Sequence, residues 1–131
     1  MGKFIGQISI LVKDYDEALN FYINILGFEL VEDTILSPEK RWVVIKPSNT
    51  KNLGCNLLLA KASNPTQEMF VGNQTGGRVF LFLYTDNFDR DYDLLIKNKV
   101  KIVRPPSVES YGRVLVFSDL YGNLWDLIER E

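Results

Sequence analysis

No histidine occurs among the 131 residues. Its absence removes Ser-His-Asp and Cys-His catalysis outright, and with them the commonest ligand for zinc, nickel and non-haem iron. The single cysteine, Cys55, has no base to activate it and reads as a small buried hydrophobe rather than a nucleophile. The chemistry left is that of carboxylates, amides, guanidinium groups and aromatic rings. Asp126 sits inside the apolar run LWDLI, where an ionised carboxylate needs a partner. It is either an anchor for a cationic or hydroxylated ligand, a general base with a raised pKa, or half of a plain contact with Arg78, Arg113 or Gln7. Trp42 forms either a flat wall for an aromatic or aliphatic ligand or part of the core, and its neighbour Arg41 can occupy either face. Arg78, directly after Gly76-Gly77, either orients an anionic ligand or is a solvated arginine. Glu109 and Tyr111 read as loop residues that close over a mouth or cap the core, and Asn73-Gln74-Thr75 could lend amides there. The NQTGGR stretch contains neither G-x-G-x-x-G nor G-x-x-x-x-G-K and precedes a strand, so it is not read as a nucleotide loop.

Composition narrows the setting for these groups. Hydrophobic residues make up 46% and charged residues 24%, enough for one ordinary globular core. The net charge of −2 is spread along the chain without a basic stripe, which argues against nucleic acid as a partner. Apolar runs are strand-length, so no membrane span is expected. The opening MGKFIGQISI carries neither a secretory signal pattern nor the Ser or Thr of a myristoylation motif. One cysteine excludes an internal disulfide and suits a reducing cytoplasm.

The elements that must position the candidate residues repeat. Residues 4–12 alternate as a strand, with Ile8, Ile10 and Val12 on one face and Gln7, Ser9 and Leu11 on the other. Asp14 caps a helix, with Glu17 three residues later as in a capping box. Ala18, Phe21, Tyr22 and Ile25 form its buried stripe, and Gly27 suits a left-handed C-cap. Strands follow at residues 28–36, 42–45 and 56–60, divided by Ser37-Pro38 and a polar turn over 48–54. Residues 63–77 form an amide- and glycine-rich connector whose Met69, Phe70 and Val71 are expected to tuck against the body. The pattern then returns. A strand spans 78–85, and Asp86 caps a helix with a stripe of Phe88, Tyr92, Leu95 and Ile96. Strands at 101–103 (closed by Arg104-Pro105-Pro106), 113–117 and 124–128 complete it, the last two joined by a tight turn at Asp119-Leu120-Tyr121-Gly122-Asn123. The chain therefore reads as α+β, an internal duplication of a β-α-β-β-β module. Module one covers 4–62, the connector 63–76 and module two 77–131.

The opening motif is Ile8, Ile10, Val12, Asp14, Ala18, Phe21, Tyr22, Leu26, Gly27, Phe28. The closing motif is Asp119, Tyr121, Gly122, Asn123, Trp125, Asp126, Leu127. Together with the two βαβββ modules they resemble the vicinal oxygen chelate superfamily, which includes glyoxalase I, extradiol dioxygenases, fosfomycin-resistance enzymes and bleomycin-binding proteins. The resemblance implies a U-shaped cleft between the modules. It also implies one divalent metal there, held by residues, typically His and Glu, from the first and last strand of each module. Carried over by position, those ligand places read Gln7, Leu58, Val79 and Asp126. Two are hydrocarbons, whereas tight divalent binding needs three or four donors. Only Mg²⁺ held mostly by water would tolerate one or two.

Strand parity then supplies the lining: Gln7 and Ser9, Asn56 and Leu58, Val79 and Leu81, Leu124 and Asp126. The alternate faces, including Phe80, Phe82, Tyr84, Trp125 and Leu127, are assigned to the core. The expectation is a glyoxalase/bleomycin-resistance-like protein with a small-molecule-binding cleft, without the family's metal and without a cofactor. Its ligand-binding candidates are Gln7, Ser9, Trp42, Asn56, Arg78 and Asp126. The resemblance also implies a homodimer. The alternative is a metal-dependent lyase, isomerase or dioxygenase of the glyoxalase kind with an oxygen-only site. A third is a regulatory or structural dimer whose cleft its own side chains fill. Whether the chain is an enzyme stays open at this point.

Overall fold

The structure of the protein is a computed structural model and describes residues 2–47 and 54–130. The polar turn expected over 48–54 lies outside the described residues except for Gly54. The chain forms two compact units, Met1–Val71 and Gly72–Glu131. No helix among the described residues is long and apolar enough to cross a membrane.

The first unit contains β1 (Gln7–Val12), α1 (Tyr15–Leu19) continued by a π-helical stretch (Asn20–Ile25), β2 (Glu29–Ser37), β3 (Lys40–Lys46), β4 (Asn56–Lys61) and α2 (Pro65–Phe70). Its sheet has the order β1-β4-β3-β2. β1 pairs with β4 in parallel and the other pairs are antiparallel. Asp14 is the N-cap of α1, and its Oδ2 accepts from the Glu17 amide at 2.8 Å. In the π-helical stretch the Leu26 amide donates to the Phe21 carbonyl, five residues back, at 3.0 Å. The wider turn leaves Ile25 only half-buried, while Ala18, Phe21 and Tyr22 fill the core as expected. Tyr22 meets Phe21 edge-on at 5.2 Å and lies 5.7 Å from Phe28. Ile10, Val12, Val43, Ile45 and Leu59 are completely buried against this cluster's face of the sheet. Each such burial stabilises by about 1.5–3 kcal/mol. Ser37 pairs with Lys40 across the two-residue turn Pro38-Glu39, so β3 starts two residues earlier than the sequence suggests.

The connector holds a helix that the composition obscured. Asn64 caps α2, accepting from the Gln67 amide at 2.8 Å, and Pro65 takes the first helical position. Met69 does not tuck in: it is exposed, as is much of Phe70.

The second unit contains β5 (Val79–Tyr84), α3 (Phe88–Lys97), β6 (Ile102–Glu109), β7 (Gly112–Ser118) and β8 (Leu124–Arg130), with the sheet order β5-β8-β7-β6. The cap of α3 is Asn87, not Asp86: Asn87 Oδ1 accepts from the Arg90 amide at 3.0 Å, and Asp86 pairs with the Arg90 guanidinium at 2.9 Å. Glu129 on β8 accepts from the Phe88 amide at 2.7 Å, tying the helix start to the sheet. Ile96 is exposed rather than part of the stripe, and Leu94 is half-buried. β6 runs straight through Pro105-Pro106, where a short strand was expected to stop. It is an edge strand, and an extra residue between Arg104 and Ser107 forms a bulge. Missing amide donors are tolerated in that position. Both units thus repeat one topology, and the α+β two-module class read from the sequence is what the chain adopts.

Candidate functional site

The closing sequence motif is a structural clasp for β8. The Asp119 carboxylate is 4% exposed and accepts from the amides of Tyr121, Gly122 and Asn123 at 3.0–3.1 Å. It also accepts from Asn123 Nδ2 at 3.0 Å and from Trp125 Nε1 at 3.2 Å. A buried carboxylate is tolerated only with this degree of hydrogen bonding. Trp125 then stacks on Phe117 at 5.8 Å, on the side of the sheet that faces α3. With Trp125 turned inward, strand alternation turns Leu124, Asp126, Ile128 and Arg130 to the opposite face.

β5 meets that face through a bulge. Val79 pairs with Leu124, but Leu81 pairs with Trp125, Phe82 with Asp126 and Tyr84 with Ile128. Phe80 is the extra residue. From Leu81 onward the parity is inverted, so Leu81 belongs to the inner face, while Phe82 and Tyr84 share the outer face with Asp126. Phe82 is 56% exposed and Tyr84 54% exposed, which corrects their assignment to the core. The bulge also accounts for the helix cap falling one residue late, at Asn87.

Phe82, Tyr84, Tyr111, Asp126, Ile128 and Arg130 line a concavity of about 280 Å³. Tyr111 stands in the two-residue turn between β6 and β7, where Glu109 pairs with Gly112. Only glycine fits at 112: its φ is +137°, and a Cβ there would come within 2.1 Å of the Glu129 carbonyl oxygen. The Arg130 guanidinium lies over the Tyr84 ring, 4.5 Å from its centroid. Asp126 supplies the carboxylate of the hollow. Loss of water raises its pKa above the ordinary aspartate value, and Arg104 opposes that rise. Arg104 pairs with Val116, which in turn pairs with Asp126, so its charge acts from one strand further out. Among the described residues no hydrogen bond or ion pair satisfies the Asp126 carboxylate. Arg113, one expected partner, is 2.9 Å from Asp89 and stacks over Phe88 on the helix side.

The first unit builds its corresponding face without a bulge between β1 and β4. Gln7 pairs with Asn56, Ser9 with Leu58 and Leu11 with Ala60. Val44 pairs with Leu58, and Trp42, two residues along β3, shares that face with 37% exposure. Gln7, Ser9, Asn56 and Trp42 are therefore brought onto one surface, and Trp42 is not a core residue. Arg41 points the other way. Its guanidinium grips Asp33 at 2.6 and 3.1 Å and Asp16 at 2.9 Å, and lies 5.2 Å from the Tyr15 ring centroid. Arg78 is exposed just before β5, its carbonyl bonded by the Thr75 hydroxyl. It does not line the Asp126 hollow. Glu109 is exposed and accepts from Ser107 Oγ at 2.8 Å. Cys55 is half-buried.

By the family resemblance the metal-ligand places fall at Gln7, Leu58, Val79 and Asp126. Gln7 and Val79 open the parallel first-to-last pairings, and Leu58 and Asp126 stand two residues into β4 and β8. Leu58 and Val79 carry no donor atom, Gln7 has a neutral amide, and Asp126 alone offers a charge. This donor set does not fit a tightly held divalent metal.

Phe82, Tyr84 and Arg130 were missed as site residues, the first two because a bulge leaves no mark in composition. Arg130 did leave a signal, since the alternation Leu124, Asp126, Ile128, Arg130 continues past the expected strand end at 128.

Comparisons with known proteins agree with this architecture. The profile of the Glyoxalase/Bleomycin resistance protein/Dioxygenase superfamily matches residues 4–127. A protein of Shewanella frigidimarina (strain NCIMB 400), named only "Uncharacterized protein", is 54% identical over 130 residues, which is 98% of this chain and 95% of its own. The crystal structure of UcmS2 aligns with a TM-score of 0.82 at 26% identity, covering 98% of both chains. That of TnmS3, an antibiotic binding protein from Streptomyces sp. CB03234, aligns with a TM-score of 0.78 at 29% identity, covering 98% of this chain and 97% of its own. The chain belongs to the Glyoxalase/Bleomycin resistance protein/Dioxygenase superfamily.

Proposed function

We propose that this protein binds a small organic molecule with a planar, apolar body at the hollow formed by β5, β8 and the β6–β7 turn. The observation that carries the reading is the grouping of exposed Phe82, Tyr84 and Tyr111 around Asp126. Aromatic rings left in water give area for stacking. A partly desolvated carboxylate with no hydrogen-bond or ion-pair partner among the described residues gives one directional contact, suited to a cationic or hydroxylated group on the ligand. The likeness to TnmS3, an antibiotic binding protein, supports a ligand of that general kind. The open face of the first unit, with Gln7, Ser9, Trp42 and Asn56, is a separate candidate surface of similar make-up, and Arg78 a peripheral one. Residence in the cytoplasm belongs to the same proposal, supported by the single cysteine.

The test is a thermal-shift screen of planar aromatic compounds. The reading expects a compound that raises the melting temperature of the wild type and of Thr75→Ala but not of Phe82→Ala or Asp126→Ala. An equal rise in all four proteins would sink it. The alternative, a metal-dependent lyase, isomerase or dioxygenase, rests on Asp126 as its one charged donor. A divalent metal copurifying in stoichiometric amount would favour it over metal-free binding.

A further inference from the structure

We infer that the hollow takes a small hydroxylated aromatic acid, held lengthwise along β8 with its hydroxyl at Asp126 and its carboxylate at Arg130. The inference rests on the ligand reading above and supplies the polarity of the molecule. Asp126, Ile128 and Arg130 alternate onto one face of β8, so the carboxylate and the guanidinium mark two ends of the hollow, their Cα atoms about 13 Å apart. Phe82 pairs with Asp126 at one end. Gly112 pairs with Arg130 at the other and brings the turn bearing Tyr111 there. Ile128 stands between, with Tyr84 and Val114 as its strand partners. The middle is apolar, and each end carries one charge of opposite sign. A volume of about 280 Å³ lies near the lower edge of small-molecule sites, which suits two fused rings rather than an extended ligand.

Both ends have hydrogen-bonding capacity left over. Among the described residues no acceptor or ion-pair partner holds the Arg130 guanidinium. The Tyr84 ring, its centroid 4.5 Å away, positions that group but offers no carboxylate, so the fork that grips one is left for a ligand. Glu109 shares the row of Arg130 through Gly112, but it stands two strands out and accepts from Ser107 Oγ at 2.8 Å. At the other end Arg104 shares the row of Asp126 through Val116, and its positive charge acts on that carboxylate. An ammonium brought to Asp126 would meet the same charge and lose its own water. A neutral hydroxyl donates to the carboxylate at neither cost. The reverse orientation sets the ligand's carboxylate against that of Asp126.

Titrated calorimetrically with 6-hydroxy-2-naphthoate, 2-naphthol and 2-naphthoate, the full chain should bind the first at least about tenfold more tightly than either other compound. Arg130→Met should erase the margin of the hydroxynaphthoate over the naphthol, and Arg130→Lys should keep part of it. Lys97→Met, which removes an exposed charge from α3, should keep all of it. Asp126→Ala should erase the margin over the naphthoate. Equal binding of the three compounds, each lost in Phe82→Ala, overturns this polarity and leaves the aromatic hollow standing as a site. A margin that survives Arg130→Met, or falls equally in Lys97→Met, overturns the polarity too. Binding of none of the three, or binding indifferent to Phe82→Ala, overturns the ligand reading together with this inference.

Discussion

Both units pair their first strand in parallel with their last and end on an outer hairpin, yet they present different chemistry on the same face. In the first unit the face reads Gln7, Ser9, Leu11 along β1. In the second it reads Val79, Phe82, Tyr84 along β5. One inserted residue, Phe80, turns what would be an aliphatic face of Val79, Leu81 and Leu83 into an aromatic one. The duplication kept topology, which depends on the core, and changed the faces, which do not. A bulge is an inexpensive way to re-aim side chains, because it alters one strand without disturbing the inner packing. The edges diverge in the same manner: β2 stays apolar, while β6 is closed by prolines.

The largest effect should come from the clasp that orients β8. Asp119→Ala takes the carboxylate away from the Tyr121 and Asn123 amides, an indole and an amide side chain, while the Gly122 amide keeps the Asp119 carbonyl at 3.1 Å, and should cost about 3 kcal/mol in denaturant unfolding. A loss under about 1 kcal/mol would show that the aromatic face does not depend on it. Gly112→Ala follows, at about 2 kcal/mol or more, since the left-handed φ and the close Glu129 carbonyl both resist a side chain.

The two faces can be set against each other directly. Phe82→Ala should abolish the ligand-induced melting shift and Trp42→Ala should leave most of it. Equal losses would mean that the ligand uses both units.

Asp126 offers a pH-dependent version of the same contrast. Its folded pKa lies above the unfolded value, so between the two the native state holds more protons and stability falls as pH rises through that window. Asp126→Asn should therefore raise the melting temperature at neutral pH, and the gain should vanish below the ordinary aspartate range. A gain that persists in acid would assign the effect to packing. The smallest change is expected at Asp16→Ala. It removes one exposed partner of Arg41 while Asp33 remains, and should cost under about 0.5 kcal/mol.

The modules were legible because the buried stripes and the caps repeat. Asp14, Tyr22, Gly27 and Trp125 do in the structure what their types suggest. The face of β1 was legible too, since uninterrupted pairing lets parity carry from Gln7 to Leu11. The face of β5 was not. Its six residues are all apolar or aromatic, so alternation had no polar marker to reveal the inversion at Phe80. β6 was cut short for a related reason. Pro105-Pro106 stops an inner strand, and nothing in the local sequence says that this strand lies at an edge. The hidden α2 shows the converse, since Asn64-Pro65 is a start signal that the amide-rich composition around it concealed.

Amide chemical shifts recorded while titrating the planar aromatic compound most effective in the melting screen test the central claim most directly. The account predicts that the perturbed residues group at Phe82, Tyr84, Tyr111, Asp126, Ile128 and Arg130, and that Asp126→Asn weakens the response. Perturbations confined to the first unit, or scattered without relation to that hollow, would contradict it.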